Sequence, residues 1–268
     1  MLLALDVGNT NAVIGLFRLS TDGGKAEVVT NWRITTPTEQ TVDDFGMRLF
    51  QLFELRGLKM DVVTGVVISS VVPPLDSMMR RACETYFNVK PLFIEPGVKT
   101  GIPVLTDNPS EVGADRIVNC VAAYEEYGGP TIVVDMGTAT TFDVVSKKGE
   151  FIGGAIAPGL GISANALFAR AARLPRIDIK KPAKVIGTNT VDHMQIGLYY
   201  GYIGLVDGIL ERMIAELGPE TKTVATGGLA KLIAGGSKYI AVVDDMLTLN
   251  GLRIIYERNQ DRNRKRGA

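Results

Sequence analysis

Leu2-Leu3-Ala4-Leu5-Asp6-Val7-Gly8-Asn9-Thr10-Asn11 and Thr131-Ile132-Val133-Val134-Asp135-Met136-Gly137-Thr138-Ala139-Thr140-Thr141 are two passes of one pattern. Each is an apolar run that ends in Asp-x-Gly and a cluster of small polar residues. Each then resumes as an apolar run, Ala12 to Phe17 in the first case and Phe142 to Val145 in the second. That order reads as a strand, a tight polar turn and a returning strand. Asp135 follows Asp6 by 129 positions, close to half of the 268-residue chain. A repeat at that distance implies two duplicated α/β domains facing each other across a cleft.

The segments around the two turns agree with an α/β class. Thr41 to Arg56 has helical spacing, with Val42, Phe45, Leu49, Phe50 and Phe53 on one face and Thr41 with Asp44 as a capping box. Asp61 to Val72 is rich in β-branched residues and reads as a buried strand stopped by Pro73-Pro74. Helices are expected over 75–87 and 111–127. Strands are expected over 28–34, which includes Trp32 and Arg33, and over 221–225, which ends in Thr226-Gly227-Gly228. A long helix over 196–217 carries Gly197, Gly201, Gly204 and Gly208 along one face. Each glycine costs about 1 kcal/mol against alanine in a helix interior. Close packing against another helix is the default reason for such a stripe, and a ligand or a second subunit is the alternative. The domains are expected at 1–118 and 119–268.

Bulk properties narrow the function classes. Hydrophobic residues make up 46% and charged residues 22%, ordinary globular usage, and Lys+Arg equals Asp+Glu at 29 each. A nucleic-acid partner would call for a basic excess. Cys83 and Cys120 stand far apart in no metal or redox spacing, which fits a reducing, cytoplasmic setting. Ile196 to Val206, the longest apolar stretch of interest, is shorter than the roughly 20 residues a membrane span takes. The expectation is a soluble protein without a membrane partner. His193 is the only histidine and comes with no nucleophile elbow. It reads as a helix-surface residue, and Cys83 as core. The basic end, Arg258 to Arg266, reads as a frayed, solvated tail.

The chemistry of the turns points to phosphate. Gly8 and Gly137 let the main chain approach a bulky anion. Asn9, Thr10 and Asn11, and on the other side Thr138, Thr140 and Thr141, supply neutral donors. Asp6 and Asp135 would repel phosphate, so their natural part is to hold a cation, directly or through water. The chain has neither a G-x-x-x-x-G-K-[ST] loop nor a strand-then-G-x-G-x-x-G fingerprint, so a nucleotide must be held by some other means. Asp115-Arg116 is an acid and a base at a helix start. It reads as a solvated pair or as a catalytic carboxylate beside a substrate anchor.

The motifs Asp6 to Asn11, Ser69-Ser70-Val71-Val72-Pro73, Asp107 to Arg116, Asp135 to Thr141 and Gly153 to Gly159, in that order, resemble the type III pantothenate kinases. The resemblance runs from residue 1 to about 255. It implies two ribonuclease-H-like domains of the acetate and sugar kinase, Hsp70 and actin superfamily, with a central nucleotide cleft (an actin-like ATPase fold). It also implies a homodimer and transfer of the ATP γ-phosphate to the 4′-hydroxyl of pantothenate, the first step of coenzyme A synthesis. Mg²⁺ and a monovalent cation, K⁺ or NH₄⁺, are implied as cofactors. By matching motif, Asp6, Val7, Gly8, Asn9, Thr10, Asn11, Ala12, Val13 and Thr138 resemble the ATP site. Gly113, Ala114, Asp115, Arg116 and Thr190 resemble the pantothenate site, with Asp115 the base. Asp135 resembles the monovalent-cation ligand and Asp6 the Mg²⁺ partner through water. Gly153 to Gly159 is similar to the dimer-building segment. The sequence departs from the family at Thr106, where many members carry tyrosine. An acid kinase, a sugar kinase, a polyphosphate phosphatase or an actin-like or chaperone-like ATPase on the same fold are the competing readings.

Overall fold

The computed structural model describes all residues except 21–23, 25, 37–38, 172 and 267–268, and it describes side chains up to residue 260. The chain forms two compact units. Unit 1 takes Met1–Gly101, Asn108–Ala122 and Thr248–Ala268, and unit 2 takes Ile102–Asp107 and Ala123–Leu247. The change of unit falls inside a helix just past the expected 118/119 division. Two short exchanges depart from contiguous halves: the 102–107 segment goes to unit 2 and the last helix goes to unit 1.

Unit 1 is built on a five-stranded sheet in the order β3-β2-β1-β4-β5. Its strands are β1 (Leu2–Val7), β2 (Asn11–Arg18), β3 (Glu27–Thr35), β4 (Gly65–Ser70) and β5 (Leu92–Phe93). β1 to β3 form an antiparallel meander, and β4 returns parallel to β1 after helix α1 (Val42–Glu54) crosses over. α1 starts on the expected capping box: Thr41 accepts from the Asp44 amide and Asp44 reaches back to the Thr41 amide. Leu3, Leu5, Val7, Ile14, Leu16, Val66 and Ile68 on one sheet face pack with Phe45, Leu49 and Phe53 of α1 and with Met79, Cys83 and Phe87 of α2 (Pro73–Phe87). Trp32 stacks on Phe53, with ring centroids 5.4 Å apart. Burial pushes the Cys83 thiol up to about 12, so it is an inert core residue as expected.

Some sequence expectations are corrected here. Phe50 is 53% exposed rather than on the core face of α1, because the buried stripe runs through Phe45, Leu49 and Phe53 and leaves Phe50 turned away. Residues 60–62 form a short 3-10 turn before β4 instead of its first residues. Pro73 and Pro74 begin α2 as well as end the strand, since the first helical positions need no amide donor.

The opposite face of the unit 1 sheet carries the C-terminal helix α7 (Leu247–Arg266), which packs on α3 (Ala114–Tyr127) where the Val118 carbonyl fills the space a Cβ at Gly251 would need. α7 sits closely on the sheet. A Cβ at Gly15 would lie 2.9 Å from Leu249, and the Tyr256 hydroxyl occupies the space a Cβ would need at Gly65. Further along, Arg258 donates to Thr100 O (2.6 Å) and Asn259 donates to Lys99 O (3.0 Å). The end expected to fray is helical in its backbone to Arg266.

Unit 2 repeats the plan. Its sheet is ordered β10-β9-β6-β7-β8, from β6 (Thr131–Met136), β7 (Ala139–Val145), β8 (Phe151–Pro158), β9 (Lys222–Thr226) and β10 (Val242–Val243). β6 to β8 form the meander and β9 returns parallel to β6. Helices α4 (Leu160–Arg170) and α5 (Thr190–Leu217) lie between β8 and β9, and α6 (Ala230–Ala234) follows β9. Phe142, Val144, Ile132 and Val134 pack with Tyr199, Ile203, Val206 and Leu210 of α5. The glycines of α5 do not pack as expected. A Cβ at Gly197, Gly201 or Gly204 would meet nothing within 4 Å, so that stripe faces open space in the single chain. No helix among the described residues is long and apolar enough to cross a membrane.

Candidate active site

In unit 1 the first Asp-x-Gly turn joins β1 to β2. The Gly8 amide donates to Asn11 O at 3.0 Å and closes the turn. From the end of β3, the Thr36 amide donates to Thr10 O (3.0 Å) and its hydroxyl donates to Gly8 O (2.7 Å). Internal donors thus occupy the carbonyls of Gly8, Thr10 and Asn11, while Asn9 and Thr10 are exposed. Val7 and Ala12 face each other in register and are buried in the core, so any ligand contact they make is through the main chain. Val13 alternates to the opposite face, half-buried.

Asp6 points away from that core. Leu5 and Val7 belong to it, so strand alternation puts the Asp6 carboxylate on the other face. In the β1–β4 pairing, Asp6 stands opposite Ser69, and the Val71 amide continues the ladder to Val7 O at 3.1 Å. The start of α3 lies at the same edge: a Cβ at Gly113 would be 3.9 Å from Val71 Cγ1. The same Cβ would lie only 2.6 Å from Asp115 Oδ1. The carboxylate therefore folds back over Gly113 into space that a side chain there would contest, and Oδ1 accepts the Arg116 amide at 2.9 Å. Burial raises the Asp115 pKa above the ordinary carboxylate range, and the Arg116 amide and guanidinium partly offset this. A carboxylate with raised pKa, next to a phosphate-type turn, is suited to take a proton. Ala114 opens α3 and Arg116 follows in its first turn, both half-buried.

Unit 2 holds the second turn. The Gly137 amide donates to Ala139 O at 3.0 Å, a turn one residue shorter in register than the first, with Met136 opposite Thr140 where Val7 stands opposite Ala12. Gly159 closes on it as its amide donates a hydrogen bond to Thr138 O (3.1 Å), and the carbonyls of Gly137 and Thr138 fill the space a side chain at 159 would need. Asp135 is opposite Thr226 in the β6–β9 pairing, and its Oδ1 would be 2.8 Å from a Cβ at Gly227, which has φ +95°. Of the three threonines expected to offer hydroxyls, only Thr138 is exposed. Alternation along β7 turns Thr140 into the core, where it bonds the Tyr202 hydroxyl, and Thr141 donates to the buried Asp143 (2.8 Å). Thr190 is the first residue of α5, exposed, behind an Asn189 cap that accepts the Asp192 amide at 2.9 Å. His193 lies exposed in the same first turn.

The structure thus groups Asp6–Val13 with Gly113–Arg116 at one edge of one sheet, and carries Asp135, Thr138 and Thr190 in the other unit. Thr36, Ser69 and Tyr202 have no part in the sequence expectations, and Gly159 has one only as the end of the dimer-building segment. Their signal is tertiary, except that Ser69 stands within a motif already quoted. A cavity of about 260 Å³ beside α4, where Arg176 lies 4.5 Å over the Phe168 ring, contains none of these groups.

Among the described residues no three His, Cys, Asp or Glu side chains gather into a metal cage. A hard divalent cation held mainly by water and phosphate oxygens needs no such cage, only one or two carboxylates. Asp6 and Asp135, each half-buried beside a Gly turn and a hydroxyl residue, fit that demand.

A sequence profile of the type III pantothenate kinases matches residues 2–212. The type III pantothenate kinase of Koribacter versatilis (strain Ellin345) is 62% identical over 270 residues, covering 99% of this chain and 98% of the relative. That of Acidobacterium capsulatum is 62% identical over 268 residues, covering 100% and 98%. Among solved structures, the activator of the 2-hydroxyisocaproyl-CoA dehydratase from Clostridium difficile with bound ADPNP aligns with a TM-score of 0.56 at 12% identity, over 99% of this chain and 97% of that one. That likeness concerns the fold, and the duplicated pair of five-stranded sheets is the actin-like ATPase architecture.

Proposed function

The chain belongs to the type III pantothenate kinases, ATP-dependent enzymes of the first step of coenzyme A synthesis, and we propose that its Asp115 is the base toward the 4′-hydroxyl of pantothenate. The observation that carries this is the half-buried carboxylate folded over Gly113 and raised in pKa, near the strand ends that also bear the first turn. In unit 1, Gly113 to Arg116 bind pantothenate, with the Arg116 guanidinium as a bidentate partner for its carboxylate; in unit 2, Thr190 offers an exposed hydroxyl of the kind a substrate contact needs. In unit 1 the amides and hydroxyls of Asp6 to Val13 serve as neutral donors to ATP phosphate, and in unit 2 the exposed Thr138 offers a hydroxyl of the same kind.

Phosphoryl transfer asks the protein mainly for positioning and charge neutralisation. Asp115 accepts the proton of the 4′-hydroxyl as its oxygen forms a bond to the γ-phosphorus. The bond from that phosphorus to the β–γ bridging oxygen breaks, and ADP leaves. Asp6 would hold Mg²⁺ and Asp135 would hold K⁺ or NH₄⁺, and such cations would supply positive charge to neutralise phosphate oxygens.

The enzyme acts as a homodimer in the cytoplasm. β8 is an edge strand with Ile152 and Ile156 exposed (39% and 64%), α4 exposes Ile162 and Leu167, and the glycine stripe of α5 is open. An apolar surface of this extent in one unit is what a second copy would cover. The defining test is ADP release over pantothenate, acetate and common sugars, with and without K⁺. Release with pantothenate alone, stimulated by K⁺, is the expected result. Silence with pantothenate would end the reading.

A further inference from the structure

Ser69 closes β4 with a side chain that is fully buried, and its Oγ has no hydrogen-bond partner. Folded chains rarely leave a buried hydroxyl unmade. Its place is specific. β4 sets Ser69 opposite Asp6, and because Leu5, Val7 and Ile68 all enter the core, alternation puts the Asp6 and Ser69 side chains next to one another on the other face. One step earlier on that face the residue is Val67, fully buried and apolar. Unit 2 repeats the arrangement: Thr226 is buried opposite Asp135, and Val224 precedes it on the same face. In both units a hydroxyl replaces an aliphatic side chain only at the step beside the turn aspartate.

We propose that Ser69 is a positioning residue for Asp6. When MgATP is bound, its Oγ–H donates to the Asp6 carboxylate and fixes that group toward the water shell of the cation. A carboxylate has several acceptor positions, so this bond adds to whatever else Asp6 holds. The inference rests on the reading of Asp6 as the Mg²⁺-side carboxylate, and the experiment separates the two.

Full-length parent, Ser69→Ala and Asp6→Asn are titrated with ATP in a calorimeter across a Mg²⁺ series, and each is melted without ligand. Ser69→Ala should need roughly tenfold more Mg²⁺ to reach half of the full ATP affinity, the size expected of one hydrogen bond to a charged acceptor. Its affinity for ATP without divalent cation should match the parent. Its unfolding temperature should be equal or higher, since a buried hydroxyl without a partner has been removed. An unchanged Mg²⁺ response in Ser69→Ala, with a shifted one in Asp6→Asn, overturns the inference and leaves the role of Asp6 standing. An unchanged response in Asp6→Asn overturns the reading of Asp6 and the inference with it. Lowered melting with ATP affinity reduced equally at every Mg²⁺ level would mark Ser69 as structural only, and also overturns it.

Discussion

Replacing Gly113 by alanine tests what holds the base. The new Cβ would lie 2.6 Å from Asp115 Oδ1, while Val71 Cγ1 on the other side stays at an ordinary 3.9 Å. The carboxylate is therefore the group that yields, and to do so it must leave the 2.9 Å bond from the Arg116 amide. A hydrogen bond to a charged acceptor is worth about 1.5–3 kcal/mol, which converts to a roughly 10- to 150-fold loss of kcat if Asp115 leaves its working position. KM for ATP should hold, because the first turn closes on Asn11 and Thr36 and not on Gly113. The pH profile gives a second readout. Burial raises the Asp115 pKa and the Arg116 amide lowers it, so losing that amide bond pushes it higher. A base works ionised, so the acid limb of kcat/KM should move to higher pH in Gly113→Ala. Linkage sets the matching stability sign. With the folded pKa above the unfolded one, ionising Asp115 costs the folded state progressively as pH rises from the ordinary carboxylate range through the raised value, and the cost is complete only above that raised value. Asp115→Asn should then bind ATP, lose most turnover and melt higher than the parent above the raised Asp115 value, with that gain gone below the ordinary carboxylate range. Steady-state kinetics across pH and thermal melts read all of this. Parental kcat with an unmoved acid limb in Gly113→Ala, or parental turnover in Asp115→Asn, would refute the reasoning.

Three further outcomes follow from the same geometry. Thr36→Val orphans the Gly8 carbonyl and should raise KM for ATP roughly 5- to 30-fold with little change for pantothenate, while Thr36→Ser restores it; equal change in both KM values would count against a role at the first turn. Gly227→Ala forces a side chain onto the Met136 carbonyl at φ +95° and should cost about 2–4 kcal/mol in urea unfolding, with the K⁺ response weakened through Asp135. Ile156→Glu places a charge on the exposed face of β8 and should turn a dimer into a monomer in light scattering, with the fold intact by circular dichroism; a dimer that persists would move the interface elsewhere.

Much of this architecture was legible without coordinates, because its signals are local. The Asp6 and Asp135 turns announce themselves through apolar runs, a glycine and a following polar cluster, and these dictate strand–turn–strand whatever surrounds them. Thr41 with Asp44 marks the start of α1 by chemistry confined to one helical turn. Other readings failed where a residue's surroundings decide. Phe50 has the spacing of a core residue but lies beyond the edge of the buried stripe. Thr140 and Thr141 look alike in sequence, yet strand alternation turns Thr140 into the core against Tyr202, the half-buried Thr141 is taken up by Asp143, and Thr138 is left as the exposed one.

The duplication, the α/β class and the kinds of group each turn presents are written in residues adjacent along the chain. Only the tertiary structure decided that the last helix belongs with the first unit, where Leu249 and Tyr256 fill the space left by Gly15 and Gly65. It alone also set Asp6 beside Ser69 and folded Asp115 over Gly113. Burial, register and the space a missing Cβ leaves are properties of segments distant along the chain, and these tune a carboxylate.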